Sequence, residues 1–392
     1  MTKRRPGASL RPFKNDRVVK YKSRCPPPFP ARLPDRAPSF MNLGFWSFYN
    51  AYNQNRMFTA SVDQQGHDWC YTSRLLGKTL QSMGHQVATL DMKPLEWFDR
   101  VFFGDYPDYY IHRNRYFHAL LKAGHPDMNL ILGEPAVVRP DNYNTKLHKP
   151  FRKVITYKKD LVAADPSKYV LYHYPVPPPP HVEPGTERPP FGRRKLCCLI
   201  QSYMVANHPG ELFSERIRAI RWFEANTPQD FDLIGVDWDR PLLPGRLSFL
   251  NFALRAAYRR VRLLDVFKFR QFPSCIGPNV KNKHLTLMDY RFSIGYENAV
   301  EKDWVSEKLW DCFNAGCVPV YLGAPNVTDY VPANTFIDKR NFTYEELYRY
   351  LSTMSEGEYN GYLEAAADFL HSPAFRLFTS EAYVELLARN FG

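Results

Sequence analysis

The sequence lacks any apolar run long enough to cross a membrane. No stretch of about 18 uncharged apolar residues occurs in the chain, and residues 1–22 are basic and polar, without the apolar core of a secretory signal. This pattern predicts a chain that lies in the cytoplasm or on a membrane surface. A Golgi location would require a membrane anchor that has been removed.

The sequence is also poor in the patterns that mark disulfide frameworks and metal sites. Its seven cysteines are odd in number and include no CxxC, so we expect mostly reduced thiols. The 11 histidines show no HExxH or related spacing, so we expect them to be structural. The chain is therefore expected to hold no metal and no disulfide scaffold.

The chain has fewer acidic residues (40 Asp and Glu) than basic ones (52 Lys and Arg), which gives a formal net charge of +12. Such a charge predicts an anionic partner. A nucleic acid, a lipid surface and a phosphorylated small molecule all meet this description, but the sequence carries no recognised nucleic-acid motif. Basic and apolar residues alternate between Arg246 and Arg270. As a helix, this segment would either pack on the core with a solvated basic face or lie on an anionic membrane.

The length of the chain, 392 residues, exceeds what one hydrophobic core usually supports and predicts two domains. Composition and apolar spacing divide the chain into a disordered basic and Pro-rich lead-in, an N-terminal domain, a Pro-rich linker, a C-terminal domain and a final helical segment that packs back on the N-terminal domain. These are residues 1–38, 39–174, 175–191, 192–365 and 366–392.

Short apolar runs alternate with segments of helical spacing in both domains. The predicted strands are 41–45, 87–90, 130–132, 195–201, 231–236, 290–296 and 318–322. The predicted helices are 70–83, 212–226 and 306–315, and further helices follow the capping-box spacing of Thr343 and Glu346. This alternation indicates an α/β fold with parallel sheets covered by helices.

Polar residues at one strand end suggest a nucleotide site. Glu297 and Asn298 directly follow the predicted strand 290–296, and Glu307 and Lys308 open the helix that follows. Open α/β sheets bind ligands at strand carboxyl ends, where a helix N-terminus attracts phosphate. A lysine there would neutralise a diphosphate and a glutamate would accept the hydroxyls of a ribose. Helix-dipole stabilisation by Glu307 and a solvated Lys308 remain the alternative.

The segment 290–337, YRFSIGYENAVEKDWVSEKLWDCFNAGCVPVYLGAPNVTDYVPANTFI, resembles the donor-binding signature of the α1,3/1,4-fucosyltransferase family, glycosyltransferase family 10. Weaker likeness extends upstream to about residue 130. The resemblance implies the GT-B fold, in which two Rossmann-like domains face a cleft: domain 39–174 on the acceptor side and domain 192–365 binding GDP-fucose. It also implies inverting transfer of fucose from GDP-fucose to a glycan hydroxyl, in α1,3 or α1,4 linkage, without a metal or other cofactor.

The resemblance also assigns site residues. Glu134, in the segment 130–135, matches the general base that takes the proton of the acceptor hydroxyl. The alternative is that Glu134 is a strand-end carboxylate that pairs with a surface arginine. The chain departs from the family pattern at Ser202-Tyr203, where Ser-Asn is usual, and at Trp304, where Tyr is usual. The implied donor-binding residues are Tyr157, Lys158, Ser202, Arg216, Glu297, Asn298, Trp304, Glu307 and Lys308.

Two features leave alternatives open. The triplet Asp237-Trp-Asp239 has the D-x-D pattern with which other glycosyltransferases hold Mn²⁺ or Mg²⁺ on a different nucleotide sugar, although its flanks also suit a turn. Aromatic residues of the N-terminal domain could stack on acceptor sugars or belong to its core. These aromatic residues are Trp69, Tyr106, Tyr109, Tyr110 and Tyr116.

Overall fold

A computed structural model describes most of the chain from Phe40 onward. The described residues are 40–60, 68, 70–109, 112–179, 186–243, 245–261, 271–277 and 282–391. The predicted lead-in 1–38 lies outside them, as do Trp69, Tyr110 and residues 262–270 of the basic segment.

The first domain is a six-stranded parallel sheet with the strand order β2-β1-β3-β4-β5-β6. Its strands are β1 Asn42–Ser47, β2 Gln86–Thr89, β3 Arg100–Gly104, β4 Met128–Ile131, β5 Lys153–Thr156 and β6 Tyr169–Leu171. Its helices are α1 Arg56–Thr59, α2 Tyr71–Ser82, α3 Arg115–Ala123 and α4 Lys159–Ala164.

The second domain repeats this plan, with a six-stranded parallel sheet in the order β12-β11-β10-β7-β8-β9. Its strands are β7 Lys195–Ile200, β8 Phe231–Ile234, β9 Cys275–Gly277, β10 Tyr290–Tyr296, β11 Val318–Leu322 and β12 Ile337–Asp338. The helices that follow in the chain are α5 Phe213–Asn226, α6 Asn251–Arg260, α7 Lys283–Met288, α8 Glu307–Ala315, α9 Tyr344–Thr353, α10 Glu356–Leu370 and α11 Ser380–Phe391.

The expected α/β fold class is confirmed: the chain forms two Rossmann-like domains, each built on a six-stranded parallel sheet. The inner strands are buried along most of their length because helices cover both faces of each sheet. In β10, every side chain except that of Arg291 is buried. The six described cysteines are free thiols, in agreement with the prediction from their spacing.

One strand end and one domain boundary differ from the sequence prediction. β8 ends at Ile234 rather than at residue 236, because the chain turns at Gly235 and Asp237, which have φ values of 150° and 69°. α10 runs without a break from Glu356 to Leu370, so the boundary predicted at residues 365 and 366 falls inside a helix. Pro373 follows soon after, where a proline opposes continuation of the helix.

The last helix, α11, lies against α2 of the first domain. Val384 and Leu387 join a buried cluster that contains Leu43 and Leu76, and Thr72 Oγ1 lies 2.7 Å from Ser380 Oγ. The chain thus crosses from the second domain back to the first. None of the helices that the structure describes is long and apolar enough to span a membrane.

Candidate active site

The carboxyl edges of the two sheets meet at Glu301, in the loop between β10 and α8. Glu301 Oε1 accepts a hydrogen bond from the Tyr157 phenol (2.7 Å) and pairs with Lys158 Nζ (2.7 Å). Its Oε2 accepts from the backbone N–H of Ala136 (3.3 Å). Residues after β4 and after β5 in the first domain are therefore tied to the loop that leads into α8.

Glu297 fixes the start of α8. It is fully buried directly after β10, and it accepts hydrogen bonds from the backbone N–H (2.9 Å) and the hydroxyl (2.7 Å) of Ser306. Gly316, with a φ of 63°, ends the same helix in the left-handed conformation that suits glycine. The Glu297 carboxylate thus sets where α8 begins and where its free N–H groups point.

Lys308 lies in the first turn of α8 between two carboxylates. Its Nζ is 3.2 Å from Glu297 Oε2 and 3.2 Å from Glu307 Oε1, and it donates to Ser306 Oγ (3.0 Å). Burial opposes the charge of Lys308, but the two glutamates outweigh burial and raise its pKa. Burial acts to raise the pKa of Glu307, but Lys308 and Lys283 hold it at about 2. This turn therefore presents a fixed ammonium beside an ionised carboxylate.

Arg216 and Asn298 lie together beneath this turn. Nη2 of the buried Arg216 donates to the carbonyls of Tyr296 (2.8 Å) and Glu297 (2.8 Å) and to Asn298 Oδ1 (3.0 Å). Burial lowers the pKa of Arg216 to about 10. The guanidinium thus anchors the end of β10, and its Nε is buried without a partner.

Three of the residues expected to bind the donor lie where the domains touch. Trp304 is buried and packs on Tyr157 and Tyr174, with ring centroids 4.7 Å and 5.4 Å away, and its Nε1 has no partner. The polar atoms of Tyr157 and Lys158 are bound to Glu301. These contacts link the domains. Ser202 lies half-buried just after β7.

Glu134 follows β4 on the opposite side of the cleft. Its Oε1 accepts a hydrogen bond from the phenol of Tyr49 (2.8 Å). Burial and then the neighbouring Asp105 raise the pKa of Glu134 to about 7, against the opposing effects of Tyr49 and Lys308. A carboxylate with a pKa near the working pH is suited to accept a proton during a reaction.

Asp105 and Tyr143 hold the backbone around Glu134. Asp105 has a φ of 65°, and its Oδ1 accepts from the N–H groups of Gly133 (2.8 Å) and Glu134 (3.0 Å). The Tyr143 hydroxyl donates to the Glu134 carbonyl (2.7 Å) and lies 2.6 Å from the Tyr157 hydroxyl, which is bonded to Glu301. A continuous chain of contacts thus joins Glu134 to the loop before α8.

Sequence reasoning missed five residues of this arrangement. Only the opposite charges of the segments 157–160 and 301–303 hinted at the contact between the domains. Tyr49 and Asp105 gave no signal, because each lies far from Glu134 in the chain. The missed residues are Tyr49, Asp105, Tyr143, Glu301 and Ser306.

The D-x-D triplet does not form a paired carboxylate site. Asp237 pairs with Arg255 (3.5 Å), whereas Asp239 lies near Arg240 (3.9 Å). Trp238, between them, is buried and donates to the Gln201 carbonyl (2.7 Å). Within the described ranges, no group of three or more His, Cys, Asp or Glu side chains is placed to hold a metal ion.

The aromatic residues expected to contact an acceptor divide between core and surface. Tyr106 packs on Phe117 at the edge of the first domain's core. Tyr109 lies on the buried guanidinium of Arg139, 4.4 Å from its ring centroid. Tyr116 is half-buried and lines a cavity next to β1.

The sequence of α8 and its surroundings matches the model of a known protein family. The model described as "Glycosyltransferase family 10 (fucosyltransferase) C-term" matches residues 257–377, a range that includes Glu297, Glu307 and Lys308.

Curated relatives align over short stretches. GDP-fucose protein O-fucosyltransferase 3 of Gallus gallus is 39% identical over 87 residues, which are 21% of this chain and 18% of the chicken protein. The 4-galactosyl-N-acetylglucosaminide 3-alpha-L-fucosyltransferase 9 of Mus musculus is 34% identical over 105 residues, 25% of this chain and 29% of the mouse protein. The chain therefore spans less than a third of the length of either relative.

Among solved structures, a crystal structure of an alpha1,3-fucosyltransferase superposes with a TM-score of 0.49 and 13% identity, covering 92% of each chain. The family match rests on sequence, and it includes β10, the loop after it and α8. Over residues 257–377, this chain is therefore similar to the C-terminal domain of glycosyltransferase family 10, the fucosyltransferases.

Proposed function

We propose that this chain is an inverting glycosyltransferase that moves L-fucose from GDP-fucose to a hydroxyl of an acceptor glycan, in α1,3 or α1,4 linkage. The observation that carries the proposal is the pairing of two sites. The pKa of Glu134, about 7, is raised by the charge of Glu307 and lowered by that of Lys308. Both of these residues lie in the segment of the other domain that matches family 10. A proton acceptor thus lies close to a site that suits a nucleotide diphosphate.

In the proposed reaction, the acceptor oxygen attacks C1 of fucose while Glu134 takes its proton. The bond between C1 and the diphosphate oxygen breaks, and GDP leaves with the bonding electrons. The ammonium of Lys308 and the N-terminus of α8 stabilise the negative charge that develops on GDP. These groups supply positive charge at the diphosphate, so the proposed reaction uses no metal and no cofactor.

The remaining donor contacts in this proposal follow the positions of the side chains. Glu307, ionised in the first turn of α8, accepts the ribose hydroxyls. Arg216, Asn298 and Ser202 surround the strand ends beneath the diphosphate. Tyr157, Lys158 and Trp304 close the site by holding the first domain against the loop before α8.

A transfer assay with GDP-fucose tests the proposal. We expect the purified chain to transfer radiolabelled fucose to galactosyl-β1,4-N-acetylglucosamine in EDTA, with the new linkage identified by NMR. Glu134→Gln should lose at least a hundred-fold in rate, about the lower range for general-base catalysis. Glu345→Gln, at an exposed position on α9, is the matched control.

Three results would contradict the proposal. Activity that EDTA abolishes and Mn²⁺ restores would favour a metal-dependent transferase that uses Asp237 and Asp239. A thermal shift with GDP-mannose or a UDP-sugar, but none with GDP-fucose, would point to another donor. Binding to DNA or RNA that weakens steeply with salt, without any transfer, would support the nucleic-acid alternative.

We also propose that the basic segment contacts an anionic membrane from the cytoplasmic side. Leu247, Leu250 and Val261 are 53%, 41% and 45% exposed, and Arg246 and Arg260 lie beside them. Exposed apolar side chains among cations are typical of a peripheral membrane surface. The chain should sediment with phosphatidylserine vesicles and not with phosphatidylcholine vesicles. Equal recovery with both would contradict the proposal.

A further inference from the structure

The first domain contains a cavity that the proposed donor and base do not use. It has a volume of about 430 Å³ and lies at the carboxyl ends of β1 and β2, next to the start of α3. Ligand sites of small molecules commonly fall in this range of volume. Its wall includes Trp46, Gln54, Arg56, Asp91, Arg115 and Tyr116.

One wall of the cavity is an unusual turn that is firmly held. Gln54 and Asn55 have φ values of 59° and 58°, the left-handed region that side chains other than glycine rarely adopt. The backbone N–H of Gln54 donates to Asp91 (3.0 Å). Asn55 and Thr89 exchange two hydrogen bonds of 2.8 Å. Such strained turns persist where the surroundings fix them, and they are concentrated at binding sites.

The chemistry of the lining fits a carbohydrate. Trp46 and Tyr116 offer half-buried ring faces for the apolar side of a sugar, and Asp91 and Arg115 offer an acceptor and a donor for hydroxyls. Arg115 is exposed and lies over the Tyr116 ring, 4.7 Å from its centroid, while donating to the Tyr116 hydroxyl (2.6 Å). Aromatic faces beside polar groups of both charges favour a sugar over a simple anion.

The cavity lies at a fixed distance from the proposed base. In the sheet, β1 is two strands from β4 and β2 is three, so at roughly 4.8 Å per strand the cavity is about 10–14 Å from Glu134. The two are also joined by the chain, because Tyr49 bonds Glu134 and immediately precedes Asn50 in the cavity wall. That distance is on the order of two sugar rings.

We propose that this cavity is an acceptor subsite, which binds a sugar of the acceptor glycan about two rings away from the hydroxyl that receives fucose. The inference rests on the proposed fucosyl transfer and specifies its acceptor: a glycan of three or more sugars should be preferred to a disaccharide. The cavity belongs to the first domain, outside the residues that match the family 10 model.

The test compares two acceptors in the full chain. The disaccharide galactosyl-β1,4-N-acetylglucosamine reaches only the base, whereas the tetrasaccharide with two such repeats reaches the cavity. We expect Arg115→Ala and Asp91→Asn to raise KM about tenfold for the tetrasaccharide. KM for the disaccharide and for GDP-fucose should stay within twofold. Lys122→Ala, an exposed lysine in the last turn of α3, is the matched control.

A second measurement does not depend on transfer. Saturation-transfer NMR should show contact with the outer sugars of the tetrasaccharide in the wild-type chain and loss of that contact in Arg115→Ala. The inference would be overturned if the variants affected both acceptors equally or affected neither. It would also be overturned if an acidic peptide displaced the tetrasaccharide from this site. Absence of GDP-fucose binding and hydrolysis in every form would instead refute the proposed function, whereas donor turnover without these acceptor effects would refute the subsite alone.

Discussion

Replacing Glu134 by glutamine should stabilise the protein at alkaline pH while it abolishes the proposed reaction. Glutamine has nearly the same shape as glutamate and can keep the hydrogen bond from Tyr49. It carries no charge that burial and Asp105 would disfavour. A catalytic carboxylate whose surroundings oppose its ionisation is a case in which function reduces stability.

The magnitude follows from the pKa. Folding raises the pKa of Glu134 from 4.5 to about 7, so the folded chain binds this proton more tightly than the unfolded chain. The stabilisation is therefore fully present below pH 4.5 and is lost as the pH rises through about 7. At about 1.4 kcal/mol per pKa unit the loss would reach ~3 kcal/mol, and solvent screening of this half-buried group reduces it to ~1–2 kcal/mol.

Thermal unfolding of the wild type and Glu134→Gln at pH 5 and pH 8 measures this effect. We expect equal stability at pH 5, and at pH 8 a melting temperature a few degrees higher for the variant. The transfer rate of the wild type should fall on the acid side with a midpoint near pH 7, where Glu134 gains its proton. The argument would be refuted if the difference in melting temperature between Glu134→Gln and the wild type were no larger at pH 8 than at pH 5.

Three further substitutions test the cleft and the packing around it. Glu301→Ala removes the carboxylate shared by Tyr157 and Lys158. We expect faster hydrogen exchange at the domain contact and a lower kcat/KM. Unchanged exchange would contradict the role of Glu301 in linking the domains. Lys308→Met leaves Glu297 buried without its cation, so we expect the free energy of unfolding in urea to fall by ~3–5 kcal/mol. We also expect this variant to lose GDP binding. Retained GDP affinity would count against the proposed diphosphate site. Leu387→Ala opens a cavity between α11 and the first domain and should cost ~2–5 kcal/mol; a cost well below this range would show that α11 packs loosely.

The cluster of polar residues at the start of α8 could be predicted because its residues are neighbours in the chain. Glu297, Glu307 and Lys308 lie within 12 positions, on a strand end and a helix start that their own sequence specifies. The predicted strands and helices of the second domain correspond to observed elements, with a small shift at the end of β8. The roles of Glu134 and of the donor-binding residues stay predictions until activity is measured.

The contacts between the domains could not be predicted from local patterns. Glu301 is 144 positions from Tyr157, and Tyr49 is 85 positions from Glu134. No periodicity or motif relates residues so far apart in one sequence. The expected donor roles of Tyr157 and Lys158 came from likeness to a family segment, and the structure adds that both are bound to Glu301 across the cleft.

The sequence by itself determined the α/β class and the likeness of residues 290–337 to a fucosyltransferase donor site. These depend on apolar spacing and on residues close together in the chain. Only the tertiary structure decided the surroundings of Glu134, because its pKa depends on burial and on Asp105, Tyr49, Glu307 and Lys308. Folding brings those groups together from both domains, so the electrostatics of the cleft exist only in the folded chain.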